Sequence, residues 1–251
     1  MQNKKLMKAR IISLPETGST NKYATGLLSK ERPEEGCVVI TDHQTQGKGT
    51  DTNTWESEKG KNLTFSLILY PDFKADQQFI LNKAISLGIC DFLHAELPQS
   101  VITIKWPNDI YIGNKKVCGI LIQNSVIGNH LDYVVVGIGL NVNQTIFTSD
   151  APNPVSLKMV SGKEYDLNEL LQKLLNSIFK KYAQVIPETS QKIENDYLKK
   201  LYRLMEWQEF ILKGNKILAR ITGTNAYGQL ELETENRQVF SCDLKEVKFI
   251  I

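Results

Sequence analysis

Charged and amide side chains suited to binding phosphates stand within residues 101–121, in a stretch that otherwise favours burial, VITIKWPNDIYIGNKKVCGIL. Lys105, Asn108, Asp109 and Lys116 together supply two ammonium groups, one amide and one carboxylate. Directed at a common space, these groups suit a ligand that carries phosphates and a divalent cation. A solvated hairpin with ordinary surface lysines is the alternative interpretation, because most charged residues are simply exposed.

Rigid backbone is predicted on both sides of these residues. The letters VITIK alternate branched apolar residues, which indicates a strand that ends at Lys105. DIYI and KKVCGILI flank residues 113–114, Gly-Asn, a pattern typical of a β-hairpin with a two-residue turn. The Trp106-Pro107 peptide predicts an extended conformation before the hairpin, and Gly119 permits close approach of a ligand or another backbone.

The order KWPND, then KK, then GIL resembles the central signature of the biotin protein ligases. A second segment agrees with this resemblance. Residues 132–143 predict a central strand that ends in GIGLNVN. This ending is similar to the segment with which biotin ligases contact the nucleotide, and the resemblance assigns that contact chiefly to Asn141.

The triplet Ser19, Thr20 and Asn21 follows a predicted strand at residues 9–14 and precedes a predicted helix. A hydroxyl at this place suits a helix N-cap, which alone is a sufficient structural role. The same triplet resembles the position at which biotin ligases carry their first ligand-binding hydroxyls. Gly18 stands where those enzymes usually have an acidic residue, and Glu16 lies two positions earlier.

A long polar loop is predicted between strands at residues 37–44 and 62–69, and loops of this length often act as functional lids. Its sequence, QTQGKGTDTNTWESEKGKN, resembles the loop that closes over biotin and the activated adenylate in biotin ligases. The resemblance assigns ligand contacts in this loop to Gln44, Gly47, Lys48, Gly49 and Trp55.

The same loop departs from the family pattern, roughly GRGRRGRxW, because Lys48 is the only cation left between Gly47 and Trp55. Lysine lacks the planar fork with which arginine holds a phosphate, and Asp51 adds negative charge near an anionic intermediate. We therefore expect weaker nucleotide affinity or faster escape of the adenylate than in the family at large. Asp51→Arg is expected to slow that escape, and an unchanged dissociation rate would contradict the idea.

Composition is that of an ordinary soluble globular protein, with 251 residues, 41% hydrophobic and 23% charged. Its 30 basic and 28 acidic residues leave a net charge of +2, so charge does not favour a nucleic-acid partner. No apolar run approaches the roughly 20 residues of a membrane span. Four widely separated cysteines in apolar runs predict buried, reduced thiols and a cytoplasmic location: Cys37, Cys90, Cys118 and Cys242.

An α+β fold is predicted, with a mixed sheet, flanking helices and a small C-terminal β module. Helical periodicity covers residues 75–93, 166–186 and 191–205, and Asp166 with Glu169 fits a capping box. From residue 209 onward short strands alternate with turns, which indicates a small barrel. We predict domains at 1–206 and 207–251. The resemblance implies a catalytic domain like that of class II synthetases and an SH3-like β-barrel.

The resemblance also implies a two-step reaction. The carboxylate of biotin attacks the α-phosphate of ATP to give biotinyl-5'-adenylate and pyrophosphate, and a lysine of the acceptor protein then attacks the mixed anhydride. Mg²⁺ is expected as a cofactor because it screens the β- and γ-phosphates. The expected acceptor is the biotin carboxyl carrier protein of acetyl-CoA carboxylase or a related carboxylase.

Both steps move negative charge, so fixed cations are expected where it develops. Lys116 is predicted to contact the biotin carboxylate and the α-phosphate, with Lys105 and Lys48 nearby. Asp109 is predicted to pair with Lys116 or to act as base for the incoming amine, and an ion pair that only fixes the turn is an equally good role. The remaining predicted contacts are Asn108 and Asn141 for the phosphates or nucleotide, and Ser19, Thr20, Asn21, Gln44, Gly47 and Gly119 for the biotin pocket.

Other functions stay open on the same residues. A lipoate or octanoate ligase shares the fold, a biotin-binding paralogue could hold its ligand with weak transfer activity, and a non-enzymatic interaction protein could use the same scaffold. Because the triplet at residues 19–21 comes so early, we expect no N-terminal helix-turn-helix domain and no DNA binding. The pattern does not choose between a monomer and a homodimer.

Overall fold

A computed structural model describes residues 10–49, 53–149 and 153–250 and places them in two β-sheets with five α-helices. The helices are α1 (Thr20–Leu28), α2 (Phe79–Glu96), α3 (Leu157–Ser161), α4 (Leu167–Tyr182) and α5 (Ser190–Lys200). The first sheet contains β1 (Ile11–Leu14), β2 (Val38–Thr41), β3 (Leu63–Leu69), β4 (Ile102–Lys105), β5 (Asp109–Ile112), β6 (Lys115–Ile127) and β7 (His130–Leu140). The second contains β8 (Trp207–Leu212), β9 (Asn215–Thr224), β10 (Leu230–Thr234), β11 (Val239–Cys242) and β12 (Val247–Phe249).

The larger sheet has the strand order β1-β2-β3-β7-β6-β5-β4. β1 and β2 are parallel, and the other neighbouring strands are antiparallel. The ladder between β6 and β7 places Gly119 directly opposite Gly139. This mixed sheet with flanking helices confirms the predicted fold class.

The central strands are buried on both faces, and alternate residues of each strand point to opposite sides of the sheet. Leu67 and Val136 pack in the main core with α2 and α4, whereas their neighbours Ile68 and Val135 pack with Ala24 of α1. On the α1 face, small and polar residues interrupt the apolar pattern at alternate positions. They are Thr64, Ser66, Gly119, Gly137 and Gly139.

The predicted helices are confirmed with shifted ends. Ser19 is the N-cap of α1, and Asp166 caps α4 by accepting a hydrogen bond from the Glu169 N–H at 2.9 Å. The helix expected at residues 191–205 ends at Lys200, because the chain becomes extended at Leu201 and the Tyr202 N–H donates to the Ile104 carbonyl. Single 3₁₀ turns at Ala75–Gln77 and Pro187–Thr189 and the short α3 were not predicted.

The C-terminal strands form an antiparallel sheet in the order β11-β10-β9-β8-β12. This sheet agrees with the predicted small SH3-like β module, although it is not closed into a barrel: β11 and β12 lie at opposite edges, and no ladder joins them within residues 207–250. The turn at 243–246 carries the chain across the sheet, so that the three-residue β12, which was not predicted, pairs with β8. The division into domains at 1–206 and 207–251 stays a prediction.

Residues 105–107 connect the two sheets. The Trp106 indole N–H donates to the Gly228 carbonyl of the β9–β10 turn at 2.8 Å. The Trp106-Pro107 peptide is cis, and residues 106–108 form a turn between β4 and β5. The second sheet is therefore anchored directly beside Asn108 and Asp109.

Four buried, unpaired thiols confirm the prediction for Cys37, Cys90, Cys118 and Cys242. Burial raises the pKa of each thiol, to about 12 for Cys90 and to about 11 for Cys242. Among the helices of the described residues, none has the length and apolar character needed to cross a membrane.

Candidate active site

A cavity opens on the α1 face of the large sheet, where β3, β7 and β6 lie side by side. The start of α1, the loop after β2 and the turn between β4 and β5 provide its walls. Eleven of the fourteen predicted site residues line it: Ser19, Thr20, Asn21, Gln44, Lys48, Gly49, Trp55, Asn108, Asp109, Lys116 and Gly119.

Seven further lining residues come from the strands and were not named as site residues, although five of them lie in the segments KKVCGIL and GIGLNVN. They are Thr64, Phe65, Ile120, Leu121, Gly137, Ile138 and Gly139. A signal for three of them was present in the sequence. Thr64, Gly137 and Gly139 place small or polar side chains at alternate positions of otherwise apolar strands, a period-two pattern that marks one face of a sheet.

One end of the cavity is formed by a buried polar network. The Thr20 N–H and hydroxyl lie 2.9 and 3.3 Å from Gln44 Oε1. Ser66 Oγ lies 2.8 Å from Thr20 Oγ1 and 2.6 Å from Asn21 Oδ1. Asn21 Nδ2 donates to the Leu121 carbonyl at 3.2 Å. We call Thr20, Asn21, Gln44 and Ser66 the head cluster. Ser19 stays at the mouth as a helix cap, with its hydroxyl accepting from the Lys22 N–H at 3.4 Å.

The other end carries opposite charges. The Lys116 amine lies 2.7 Å from Asp109 Oδ1, and the two side chains are 26% and 20% exposed. Asn108, in the turn before Asp109, donates its amide N–H to the Ile120 carbonyl. The backbone of Lys116 pairs with the chain after β7, its N–H donating to the Asn153 carbonyl at 2.9 Å. The predicted partnership of Asp109 with Lys116 is present, and their chemical roles stay predictions.

The predicted lid begins and ends as a short hairpin. Lys48 pairs with Thr54, the Gly49 N–H donates to the Asn53 carbonyl at 2.8 Å, and the Trp55 N–H donates to the Gly47 carbonyl at 3.0 Å. Lys48 is exposed on this hairpin. Residues 50–52, including Asp51, lie outside the described residues, so the expectation for Asp51 stays a prediction.

The Trp55 ring packs against Gly119 and Gly139 of the floor. A Cβ atom added at Gly139 would lie 2.2 Å from the Trp55 ring, and one added at Gly119 would lie 3.1 Å from it. Glycine is therefore required at 139 for the indole to reach its place, and a side chain there would force the lid to shift. The Lys116 amine lies 5.8 Å from the centre of the Trp55 ring. Trp55 thus covers the charged end of the cavity.

Glu56 ties the lid to the loop that follows β7. Its carboxylate accepts hydrogen bonds from the Thr148 N–H at 3.0 Å and the Ser149 N–H at 2.8 Å, and from the Gln144 amide at 3.2 Å. Burial alone would raise the pKa of the Glu56 carboxyl, but the hydrogen bonds from Ser149 and Thr148 outweigh it and hold the pKa below 4.5, its ordinary value. We call this contact the Glu56 latch.

Three predicted site residues do not line the cavity. Gly47 is buried under the lid hairpin, where an added Cβ would lie 2.4 Å from the Trp55 carbonyl. The Lys105 amine faces the second sheet, 4.6 Å from the centre of the Phe249 ring, and burial lowers its pKa. Asn141 is 3% exposed and donates to the Val155 carbonyl at 3.1 Å. Its Oδ1 is buried, with no hydrogen-bond partner in the part of the chain that the structure describes.

The carboxylate of the cavity lining suits a cation that arrives with a phosphate ligand. Within residues 10–49, 53–149 and 153–250, no three His, Cys, Asp or Glu side chains are grouped to hold a metal ion. Asp109 places one carboxylate in the cavity lining. One or two carboxylates are what Mg²⁺ usually takes from a protein when phosphate oxygens and water complete its shell.

Comparison with known proteins finds relatives along most of the chain. A family model described as "Biotin/lipoate A/B protein ligase family" matches residues 13–141, just over half of the chain. The bifunctional ligase/repressor BirA of Bacillus subtilis is 29% identical, over 90% of this chain and 71% of that protein. The biotin–[acetyl-CoA-carboxylase] ligase of Paracoccus denitrificans is 29% identical over 87% and 88%. Biotin protein ligase from Aquifex aeolicus, solved in complex with biotin and ATP, has a TM-score of 0.78 and 26% identity, over 96% and 98%.

Proposed function

Because this chain belongs to the biotin/lipoate A/B protein ligase family, we propose that it is an ATP-dependent, AMP-forming biotin protein ligase. It activates biotin as biotinyl-5'-adenylate and transfers it to a lysine of a carrier protein. The biotin ligases of Paracoccus denitrificans and Aquifex aeolicus support this reaction, since this chain matches each of them over nearly its whole length.

One observation carries the proposal. The ion pair of Lys116 with Asp109, 2.7 Å long, lies in the same cavity as the uncharged head cluster. An acid with a polar, uncharged head can therefore lie with its head at Thr20 and Gln44 and its carboxylate near an ammonium group. A fixed ammonium attracts the carboxylate and stabilises the negative charge that develops on the α-phosphate during adenylation.

Neighbouring groups take supporting roles in this proposal. Asp109 holds the Lys116 amine in place, and Trp55 excludes water from the charged end, which strengthens the electrostatic interaction. Asn108 and Lys48 face the same space and contact phosphates. The nucleotide contact of Asn141 stays a prediction, since the residue lies outside the cavity lining, and Mg²⁺ enters as the ATP complex.

We propose the biotin carboxyl carrier protein of acetyl-CoA carboxylase, or of a related carboxylase, as acceptor. The name of the Paracoccus denitrificans relative supports a carboxylase partner. The four free, buried thiols suit the reducing cytoplasm as the place of reaction.

Pyrophosphate release tests the function directly. The purified protein, incubated with ATP and Mg²⁺, is expected to release pyrophosphate with biotin and not with lipoate or octanoate. No release with biotin would overturn the proposal. Because the family model also describes lipoate ligases, release with lipoate or octanoate alone would establish that second function. Release with biotin but no label on a biotin carrier domain would indicate a biotin-binding paralogue.

A further inference from the structure

The head cluster is buried deeply enough for the direction of its hydrogen bonds to be deduced. Thr20, Asn21 and Ser66 are 3%, 6% and 0% exposed. Buried polar groups are nearly always hydrogen-bonded, and each hydroxyl has one proton to donate. Two backbone groups in contact with the cluster have fixed roles, because an N–H only donates and a carbonyl only accepts.

The first fixed group orients Gln44. The Thr20 backbone N–H lies 2.9 Å from the Gln44 side chain, so the atom that faces it is the oxygen Oε1. The amide nitrogen Nε2 of Gln44 is then the atom that can donate. Since Gln44 lines the cavity, this amide N–H is a donor for a ligand.

The second fixed group orients Asn21. The Leu121 carbonyl lies 3.2 Å from the Asn21 side chain, so the facing atom is Nδ2 and the opposite atom Oδ1 faces Ser66. Oδ1 only accepts, so the single Ser66 proton is donated to it across 2.6 Å. Gly137 leaves room for the Asn21 side chain, because an added Cβ there would lie 2.3 Å from Asn21 Oδ1.

The direction of the hydrogen bond from the Thr20 hydroxyl follows from these two assignments. The Ser66 proton is already used, so the Thr20 hydroxyl donates its own proton to Ser66 Oγ at 2.8 Å or to Gln44 Oε1 at 3.3 Å. Either way the proton stays inside the protein. Thr20 Oγ1 therefore presents only a lone pair to the cavity, as an acceptor for a ligand.

We propose that Ser66 and Asn21 are positioning residues that fix the hydrogen-bond polarity of the head pocket, so that it offers one donor, Gln44 Nε2, beside one acceptor, Thr20 Oγ1. This arrangement selects a head group with a carbonyl next to an N–H. A cyclic urea has both, whereas the dithiolane of lipoate and the end of an octanoyl chain have neither. Such ligands would leave both protein groups unpaired, which a buried site rejects strongly.

The inference rests on the proposed function and is tested with the same enzyme. Ser66→Ala removes the proton that orients Asn21 and frees Thr20 to rotate. Ser86→Ala is a matched control, because Ser86 is also 0% exposed and its hydroxyl donates to an asparagine, Asn82, at 3.2 Å on α2. Ser66→Cys keeps the side-chain shape and a weak donor, and is the rescue variant.

Calorimetric binding of biotin and pyrophosphate-release kinetics give the readouts. Ser66→Ala is expected to raise the Kd and KM for biotin about tenfold, the equivalent of 1.4 kcal/mol, and to leave kcat and the KM for ATP within about twofold. It is also expected to reduce the preference for biotin over lipoate. Ser66→Cys is expected to fall between Ser66→Ala and the wild type, and Ser86→Ala to match the wild type.

The outcomes separate the two proposals. If the wild type turns over biotin and Ser66→Ala leaves the Kd and KM for biotin unchanged, the inference alone is overturned. Equal losses in kcat, the KM for ATP and the KM for biotin also overturn it, because they indicate general structural damage. If Ser66→Ala does not fold, a Ser66→Cys variant with unchanged biotin affinity overturns it. A wild-type protein that neither binds biotin nor releases pyrophosphate with it overturns the proposed function, and the inference with it.

Discussion

The two ends of the cavity are constructed differently. Three of the four head-cluster residues are buried on β3 and the first turn of α1, with Ser66 0% exposed, and Gln44 is half-buried in the loop after β2. The charged end is partly open, with Lys116 26% exposed and Lys48 exposed on a hairpin. The groups that recognise the head of the ligand are thus mostly buried, while the end where bonds are made and broken combines Asp109 and Lys116 on paired strands with Lys48 and Trp55 on the lid.

This difference indicates which property of the enzyme each region controls. A buried network resists change, because a lost partner leaves a polar group unsatisfied. Loops tolerate substitution and open locally at lower free-energy cost than a sheet. We therefore expect substitutions in the head cluster to change ligand choice and affinity, and substitutions at the charged end to change rates and retention of the intermediate.

Removal of the Lys116 amine is expected to cause the largest loss of activity at the charged end. Lys116→Ala is expected to lower biotin-dependent pyrophosphate release by about a hundredfold or more, because the fixed positive charge is lost where negative charge develops. Lys115→Ala is the matched control, since Lys115 is exposed on the same strand and outside the cavity. Circular dichroism and the Tm check the fold. Near-normal turnover by a folded Lys116→Ala protein would remove Lys116 from the site.

Displacement of Trp55 is expected to have the next largest effect. In Gly139→Ala the added Cβ would lie 2.2 Å from the indole, so the ring must leave the floor and the charged end opens to water. A tenfold to hundredfold fall in kcat/KM for ATP, of the order expected for misplacement by about 1 Å, is predicted with a red shift in tryptophan emission. Gly26→Ala, where an added Cβ meets open space, is the control. Unchanged emission and kinetics in Gly139→Ala would show that the indole does not lie there in solution.

A smaller effect is expected when the Glu56 latch is weakened. Glu56→Gln is expected to speed release of the adenylate about threefold to tenfold, because an amide accepts the Thr148 and Ser149 N–H groups less strongly than a carboxylate. Glu58→Gln removes the same charge two residues along and is the control. Rapid filtration after a single turnover measures the release rate, and equal rates in the two variants would contradict the latch.

The same variant predicts a pH dependence of stability. The folded pKa of Glu56 lies below 4.5, the ordinary value, so the unfolded chain binds its proton more readily. The excess unfolding free energy of wild type over Glu56→Gln is therefore complete above about pH 4.5 and is lost as pH falls through the lowered pKa. Urea denaturation at several pH values measures this difference, and a difference that grows toward acid pH would contradict the assignment.

The smallest effect is expected at Lys105, although the sequence pattern groups it with Lys116. Its amine faces Phe249 rather than the cavity, and Lys105→Met keeps most of the packing of its stem. Turnover within about threefold of wild type is predicted, in contrast to Lys116→Ala. A loss as large as that of Lys116→Ala would extend the charged end to Lys105.

Much of the fold and part of the site could be predicted from local patterns. Alternation of apolar residues located most strands, the Gly-Asn turn located the β5–β6 hairpin, and capping residues located the starts of α1 and α4. The motif around Lys116 and Asp109 was visible because its residues lie within a few positions of one another on two paired strands. These features depend on neighbours in the chain, so the sequence by itself determined them.

Only the tertiary structure decided the features that join distant segments. Ser66 meets Asn21 across 45 residues and Glu56 meets Thr148 across 92, so both contacts depend on how strands and loops are placed in space. The direction of the Lys105 side chain and the open edge of the second sheet depend on how β12 pairs with β8. Hydrophobic periodicity specifies which face of an element is buried, whereas strand register and docking specify what that face meets. The hydrogen-bond polarity of the head pocket arises from register and docking, and for this reason no local motif predicts it.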